Sequence, residues 1–169
     1  MPIHKLFAYG TLINSSVFNR ITNNAKIISM KPAYTEGKMY SAGGFPLVLR
    51  LDDYKRRKAP WFVYGALIEF EAPDEVWLGL DGYEGCSKAS LGENRKTDMY
   101  HREEVTVHVI KFDTFKDFTE FNFENKEEEK AQIYFANVDS YLVQNALKYQ
   151  KRAGNVWRSF FNIPIDGLS

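Results

Sequence analysis

The stretch Phe7-Ala8-Tyr9-Gly10-Thr11-Leu12 joins a strand pattern to a helix pattern through a glycine. Ahead of it, Ile3 to Ala8 alternates apolar with polar or small residues, the period of a strand packed on one face. Gly10 breaks the alternation where the backbone has to turn sharply or pass close to another group. Asn14, Ser15 and Ser16 are N-cap residue types for a short helix over Val17–Ile21. A strand ending in a glycine turn ahead of a helix leaves several backbone N–H groups unpaired and pointing one way. Such a concavity suits a carboxylate or phosphate oxygen. The same residues also serve a plain strand-to-helix connection with no ligand, and a glycine turn alone does not choose between the two.

The 169 residues suffice for one domain with a real core and are read as a single domain over 1–169. Lys plus Arg and Asp plus Glu number 22 each, so the net charge is near zero, which argues against nucleic acid as the main partner. No apolar run approaches the roughly 20 residues of a membrane span, so no membrane partner is expected. The N-terminus carries a strand pattern, not the basic-then-apolar pattern of a signal peptide. Cys86 is the single cysteine; it excludes an internal disulfide framework and fits a reducing compartment, with the cytoplasm as the expected location.

Outward from the first turn the chain reads mostly as strand. Ala25–Met30 and Ala33–Tyr40 are expected as two strands separated by Lys31-Pro32, and Gly43-Gly44 as a turn before a short strand at Phe45–Leu49. Asp52–Pro60, with Lys55-Arg56-Arg57-Lys58, reads as a solvated loop. Trp61–Phe70 is a long aromatic and β-branched strand. Pro73 opens a helix with Asp74 and Glu75 in its first turn, and Val76, Trp77, Leu80 and Tyr83 are spaced to form its buried face. Cys86–Met99 is polar and irregular, and Tyr100–Phe112 is a second long strand with Val105, Val107 and Val109 on one side. Phe115, Phe118, Phe121 and Phe123 are expected to cover a core edge, and Glu124–Lys130 to be a loop or frayed helix. Ile133–Phe135 is a last strand, Asp139 or Ser140 caps a helix ending at Gly154, and the aromatic segment Val156–Ile165 docks back on the domain.

The residues with chemistry to offer lie at the end of the helix from Pro73, in Leu80-Asp81-Gly82-Tyr83-Glu84-Gly85. Glu84 sits where the backbone turns and the apolar face has just ended. Read from this fragment, it is either a surface carboxylate in a helix-terminating turn or a partly desolvated one. Desolvation would raise its pKa toward that of a general base near neutrality. The three histidines form no metal-ligand spacing, no glycine-rich phosphate loop is present, and Cys86 reads as a bystander rather than half of a Cys–His pair. Arg102 reads as an ion-pair or backbone-binding residue.

Taken together, the fragments resemble the γ-glutamylcyclotransferase-like family. The resemblance runs through Tyr9-Gly10-Thr11-Leu12, Gly44-Phe45-Pro46-Leu47-Val48, Gly65-Ala66-Leu67-Ile68, Leu80-Asp81-x-Tyr83-Glu84-Gly85 and Tyr100-x-Arg102, in that order, across residues 3–112. The threonine in Tyr-Gly-Thr-Leu is more similar to the γ-glutamylamine cyclotransferase and AIG2-like branches than to the glutathione-directed ones. The resemblance implies an α+β fold, a small mixed β-barrel with flanking helices. It implies an enzyme that releases 5-oxoproline from a small γ-glutamyl substrate, with no metal or organic cofactor. Glu84 would be the acid/base, the amides of Gly10, Thr11 and Leu12 would hold the α-carboxylate, and Tyr9 and Tyr100 would line the pocket and donate hydrogen bonds.

Residues 86–99 form a longer link than many relatives of this family have, so the leaving amine stays open. A binding module on the same fold is the competing reading, in which the added loops make the contacts. Such a module could bind a small molecule or a protein, so the sequence leaves open whether there is a protein partner.

Overall fold

A computed structural model describes residues 1–41, 45–50, 62–86, 98–110 and 126–149. The strands are β1 (Ile3–Ala8), β2 (Lys26–Glu36), β3 (Lys38–Ser41), β4 (Pro46–Leu49), β5 (Phe62–Glu71), β6 (Tyr100–Ile110) and β7 (Lys126–Ala136). The helices are α1 (Ser15–Ile21), α2 (Val76–Glu84) and α3 (Tyr141–Tyr149), with a single 3-10 turn at Thr11–Ile13. The expected Gly43-Gly44 turn, the loop 52–60, most of the 86–99 link, the phenylalanines of 113–123, Gly154 and the segment 156–165 lie outside the described residues.

Five strands close into a barrel in the order β1-β5-β2-β6-β7, and β3 and β4 form a separate two-stranded sheet. Closure comes from β1 lying parallel to β7, with Leu6 opposite Gln132; the other barrel pairings are antiparallel. Alternation along the strands sorts the apolar residues into two groups. Phe7, Ala33, Val63, Leu67, Val107, Val109, Ile133 and Phe135 come from strands alone and fill the barrel. Leu6, Ala66, Ile68 and Phe70 point the other way, against Phe18 of α1 and Val76 and Leu80 of α2. Phe18 meets Phe70 edge-on with ring centres 5.0 Å apart, and each such buried side chain contributes about 1.5–3 kcal/mol of transfer free energy.

Four expectations need correcting. Lys31-Pro32 does not divide two strands: β2 runs from Lys26 to Glu36, with Pro32 paired to Ala66. On its other side β2 meets β6 only at Ala33 and Tyr34, so Pro32 stands at the end of that ladder, where a missing donor is tolerated. The break comes instead at Gly37, where a Cβ would stand 2.8 Å from Val48 Cγ1.

The charged run up to Lys130 is no helix or loop from Lys126 onward. It is the first half of β7, paired residue for residue with Ile110 to Thr106. Cross-strand contacts hold it there: Glu129 takes the Lys5 ammonium, Glu128 lies 3.7 Å from His108, and Lys130 donates to Thr106.

Asp74 and Glu75 precede α2 instead of filling its first turn. Val76 and Leu80 are buried, but Tyr83 is 40% exposed and is not part of the buried face. At the start of α1, Asn14 is the cap, its side-chain oxygen accepting from the amides of Ser16 (2.9 Å) and Val17 (3.4 Å).

Candidate active site

The carboxyl ends of the parallel strands β1 and β7 and the start of β6 meet at one end of the barrel. Beyond Ala8 the chain leaves β1, passes Tyr9 and Gly10, and enters the 3-10 turn, whose first amides have no intrahelical partner. Gly10 packs closely there: a Cβ would come within 3.1 Å of Pro46 Cγ, so any larger residue would have to push that ring aside. A further glycine sets the opposite wall. Gly85 adopts φ 68°, a left-handed conformation that suits glycine, and ends α2. The Gly85 amide donates to the Gly82 carbonyl (3.3 Å) and the Cys86 amide to the Asp81 carbonyl (2.8 Å), the paired bonds of a Schellman cap. Glu84 is the last helical residue, held in place by that cap.

Tyr9, Gly10, Thr11, Leu12, Glu84 and Tyr100 all line one cavity of about 60 Å³, so the six residues singled out in the sequence are together in space. Phe7, Ala8, Phe45, Pro46 and Tyr134 complete its described wall. Two larger hollows, about 530 and 480 Å³, lie elsewhere, one between the α1–β2 turn and the start of α2, the other along β2 and β6. Size favours those two, whereas the convergence of a buried carboxyl, phenols and turn amides favours the small one.

Burial pushes the Glu84 carboxyl up to about 7. Burial also raises the Tyr9 and Tyr100 phenols, with Glu84 adding to both, so they stay protonated. Their protons are committed. Tyr9 donates to the Tyr134 carbonyl, and Tyr100 donates to the Pro46 carbonyl at 2.7 Å. The expectation that these tyrosines donate to a ligand therefore needs revising: in this geometry they offer it lone pairs. Thr11 Oγ1 lies 2.8 Å from the Tyr83 hydroxyl, joining the loop to α2 at the surface.

Behind Glu84, Arg102 forms the ion pair expected of it. Its Nε and Nη2 reach Asp81 Oδ1 and Oδ2 at 2.8 and 3.3 Å, its Nη1 reaches Gln132 Oε1 at 3.1 Å, and it stacks 4.4 Å over Trp77. Tyr134 donates to Asp81 Oδ1 at 2.6 Å. Asp81 and Tyr134 escaped the sequence reading. Asp81 stood inside a quoted motif, but nothing in Ile133-Tyr134-Phe135 separates Tyr134 from an ordinary strand residue.

No histidine lines the cavity, and among the described residues no group of His, Cys, Asp and Glu is arranged to hold a metal ion. Cys86 is buried and its thiol is pushed up by burial, the opposite of what a nucleophile needs. No helix among the described residues is long and apolar enough to cross a membrane.

The family model for gamma-glutamyl cyclotransferase, AIG2-like, matches residues 6–159. The chain belongs to this family. Its match extends well past residue 112, where the sequence motifs stop, and takes in β7 and α3. No curated protein matches the chain. Among solved structures, two Arabidopsis thaliana proteins determined in solution are 18% and 19% identical, each with a TM-score of 0.50. Each match covers 82% of this chain, and 72% and 65% of theirs respectively. A glutathione-specific gamma-glutamyl cyclotransferase from yeast is 13% identical with a TM-score of 0.50, over 82% of this chain and 71% of that one. At these identities the likeness is one of fold, and the barrel with its flanking helices is the fold of the cyclotransferase family.

Proposed function

We propose that this chain is a γ-glutamyl cyclotransferase acting on γ-glutamyl amines or peptides, with Glu84 as its acid/base. The observation that carries the reading is a single one: a buried carboxyl, pushed up to about 7, shares a small cavity with the Gly10–Leu12 turn.

In the reaction, the substrate's α-amine attacks its own γ-carbonyl. A carbon–nitrogen bond forms within the glutamyl group, the bond to the leaving amine breaks, and 5-oxoproline and a free amine result. Ionised Glu84 takes a proton from the α-ammonium so that the free amine can attack, and then gives it to the departing nitrogen. The second proton shed by the ring nitrogen ends on the released amine, which leaves as an ammonium, so no net proton is consumed. Positioned proton transfer contributes about 10²–10⁴-fold. The amides of Gly10, Thr11 and Leu12 hold the α-carboxylate. The oxygens of Tyr9 and Tyr100, their protons occupied, accept from the α-ammonium. Gripping both charged groups folds the glutamyl chain back on itself, and such near-attack placement is worth as much as ~7–11 kcal/mol in favourable systems. The cavity suits a glutamyl head, with the leaving group outside it.

The test is 5-oxoproline release from a panel of γ-glutamyl amines, γ-glutamyl dipeptides and glutathione, comparing wild type with Glu84→Gln. Release that disappears in the variant supports the reading, and the preferred panel member identifies the leaving amine. No release by wild type, with glutamate or 5-oxoproline still bound, would replace it with a binding module on the same fold.

A further inference from the structure

The geometry points to Asp81, Arg102 and Tyr134 as a positioning clamp that fixes the last turn of α2, and with it the Glu84 carboxyl, against the cavity. The inference rests on the reading of Glu84 as the base. Asp81 and Glu84 are three residues apart on α2 and therefore neighbours on one helix face. Asp81 works through two different parts. Its main-chain carbonyl accepts the Cys86 amide and so closes the cap that follows Glu84. Its carboxylate takes the Arg102 fork from β6 and the Tyr134 hydroxyl from β7. Tyr134 extends the connection to the ligand side, because its own carbonyl accepts the Tyr9 hydroxyl. Helix, two strands and the β1 turn are thus joined through one carboxylate.

The clamp is built for geometry. The Arg102 guanidinium is planar, meets Asp81 through two bonds and stacks on one face of Trp77, an arrangement that a lysine cannot reproduce. A partly buried charge-assisted set of this kind is suited to holding a helix in register more than to adding stability. Neither Asp81 nor Arg102 lines the cavity, so neither is a catalytic residue.

The groups facing Glu84 are Tyr9 at the end of β1, Tyr100 on β6 and Tyr134 on β7, with the Asp81–Arg102 pair behind them. Arg102→Lys keeps every one of these charges, and Tyr134→Phe removes one neutral hydroxyl while keeping the ring, so a shift in the Glu84 titration shared by both variants reports displacement of the carboxyl. The experiment follows the Glu84 side-chain carboxyl by carbon NMR against pH, assigned by its loss in Glu84→Gln, with 5-oxoproline release measured in parallel.

The expected result is a fall in the Glu84 pKa of about one unit or more in both variants, as the carboxyl moves toward water. Alongside it, kcat should drop by about tenfold or more while KM stays within about threefold, since misplacing a reacting group by an ångström costs on the order of 10²-fold. Folded variants whose Glu84 titrates as in wild type would overturn the clamp, and so would a wild-type Glu84 that titrates as an ordinary solvated carboxyl. The titration needs no substrate. A shift in the variants without 5-oxoproline release by wild type would keep the clamp and remove the cyclotransferase reading instead.

Discussion

A Cβ on Gly65 would stand 2.2 Å from the carbonyl oxygen of Ala8. β5 thus presses directly on the residue where β1 ends and the Tyr9–Leu12 turn begins. Gly65→Ala would meet the Ala8 backbone first and the buried Phe7 ring at 3.0 Å, and overpacking of that kind costs about 1–3 kcal/mol or more. Gly82 gives the contrast: nothing lies within 4 Å of the Cβ it would gain, and it is an exposed residue inside α2. Gly82→Ala should stabilise by about 0.5–1 kcal/mol through helix propensity. Urea midpoints of the two variants should move in opposite directions from wild type.

On the proposed reading, the Glu84 carboxyl should set a pH dependence for 5-oxoproline release. A base must be ionised, and with its pKa near 7 the rate should fall about tenfold per unit below that value. Glu84→Gln should lose about 10²–10⁴-fold in kcat at pH 8 and show no such limb in what activity remains. A wild-type acid limb near pH 4.5 would mean that the carboxyl acting in the reaction is not this buried one.

The same group has a stability signature of the opposite sense. Its carboxyl titrates near 7 when folded and near the ordinary 4.5 when unfolded, so the folded chain holds the proton more tightly. That contribution to folding is complete below about 4.5 and is lost as the pH rises through about 7. Above it, the buried carboxylate costs on the order of 3 kcal/mol. Glu84→Gln should therefore be more stable than wild type at pH 8 and nearly equal at pH 4.5, measured by urea unfolding at both. An equal offset at the two pH values would rule out the linkage.

Asn14 satisfies two orphan amides of α1 from a position directly after the 3-10 turn. Asn14→Ala should cost about 1 kcal/mol. Asn14→Asp should retain most of it. Both are measurable as thermal midpoints.

What could be read from the residues, and what could not, follows from the range of the forces involved. The turn at Gly10, the cap of α1 and the glycine ending α2 are local, decided by a few neighbouring residues, and they were legible. Pro32 misled because a proline's meaning in a strand depends on which side carries a partner, and β6 pairs with β2 only from Ala33 onward. The run up to Lys130 misled for a related reason. Its polarity suits solvent, yet Thr106 to Ile110 of β6 stand opposite to receive Lys126 to Lys130 as a strand. Glu84 was readable as a candidate but not as a buried acid, because its desolvation comes from the meeting of β1, β6, β7 and α2. Tyr134 was hidden altogether, its part in the site resting on a main-chain carbonyl that any residue would carry and on a hydroxyl whose partner, Asp81, lies 53 positions away.

Closure of the barrel through Leu6 and Gln132 also has a consequence in time. Tyr9 and the carbonyl it donates to are separated by 125 positions along the chain. The entropy of joining ends so far apart must be met before their contacts return anything, which places such pairings late and makes folding slow. The hairpin-like β6–β7 pairing and the local β1-to-α1 turn can form early, but the cavity exists only after β7 has docked beside β1. Assembly of the candidate site and the final commitment of the chain to its fold are therefore one event.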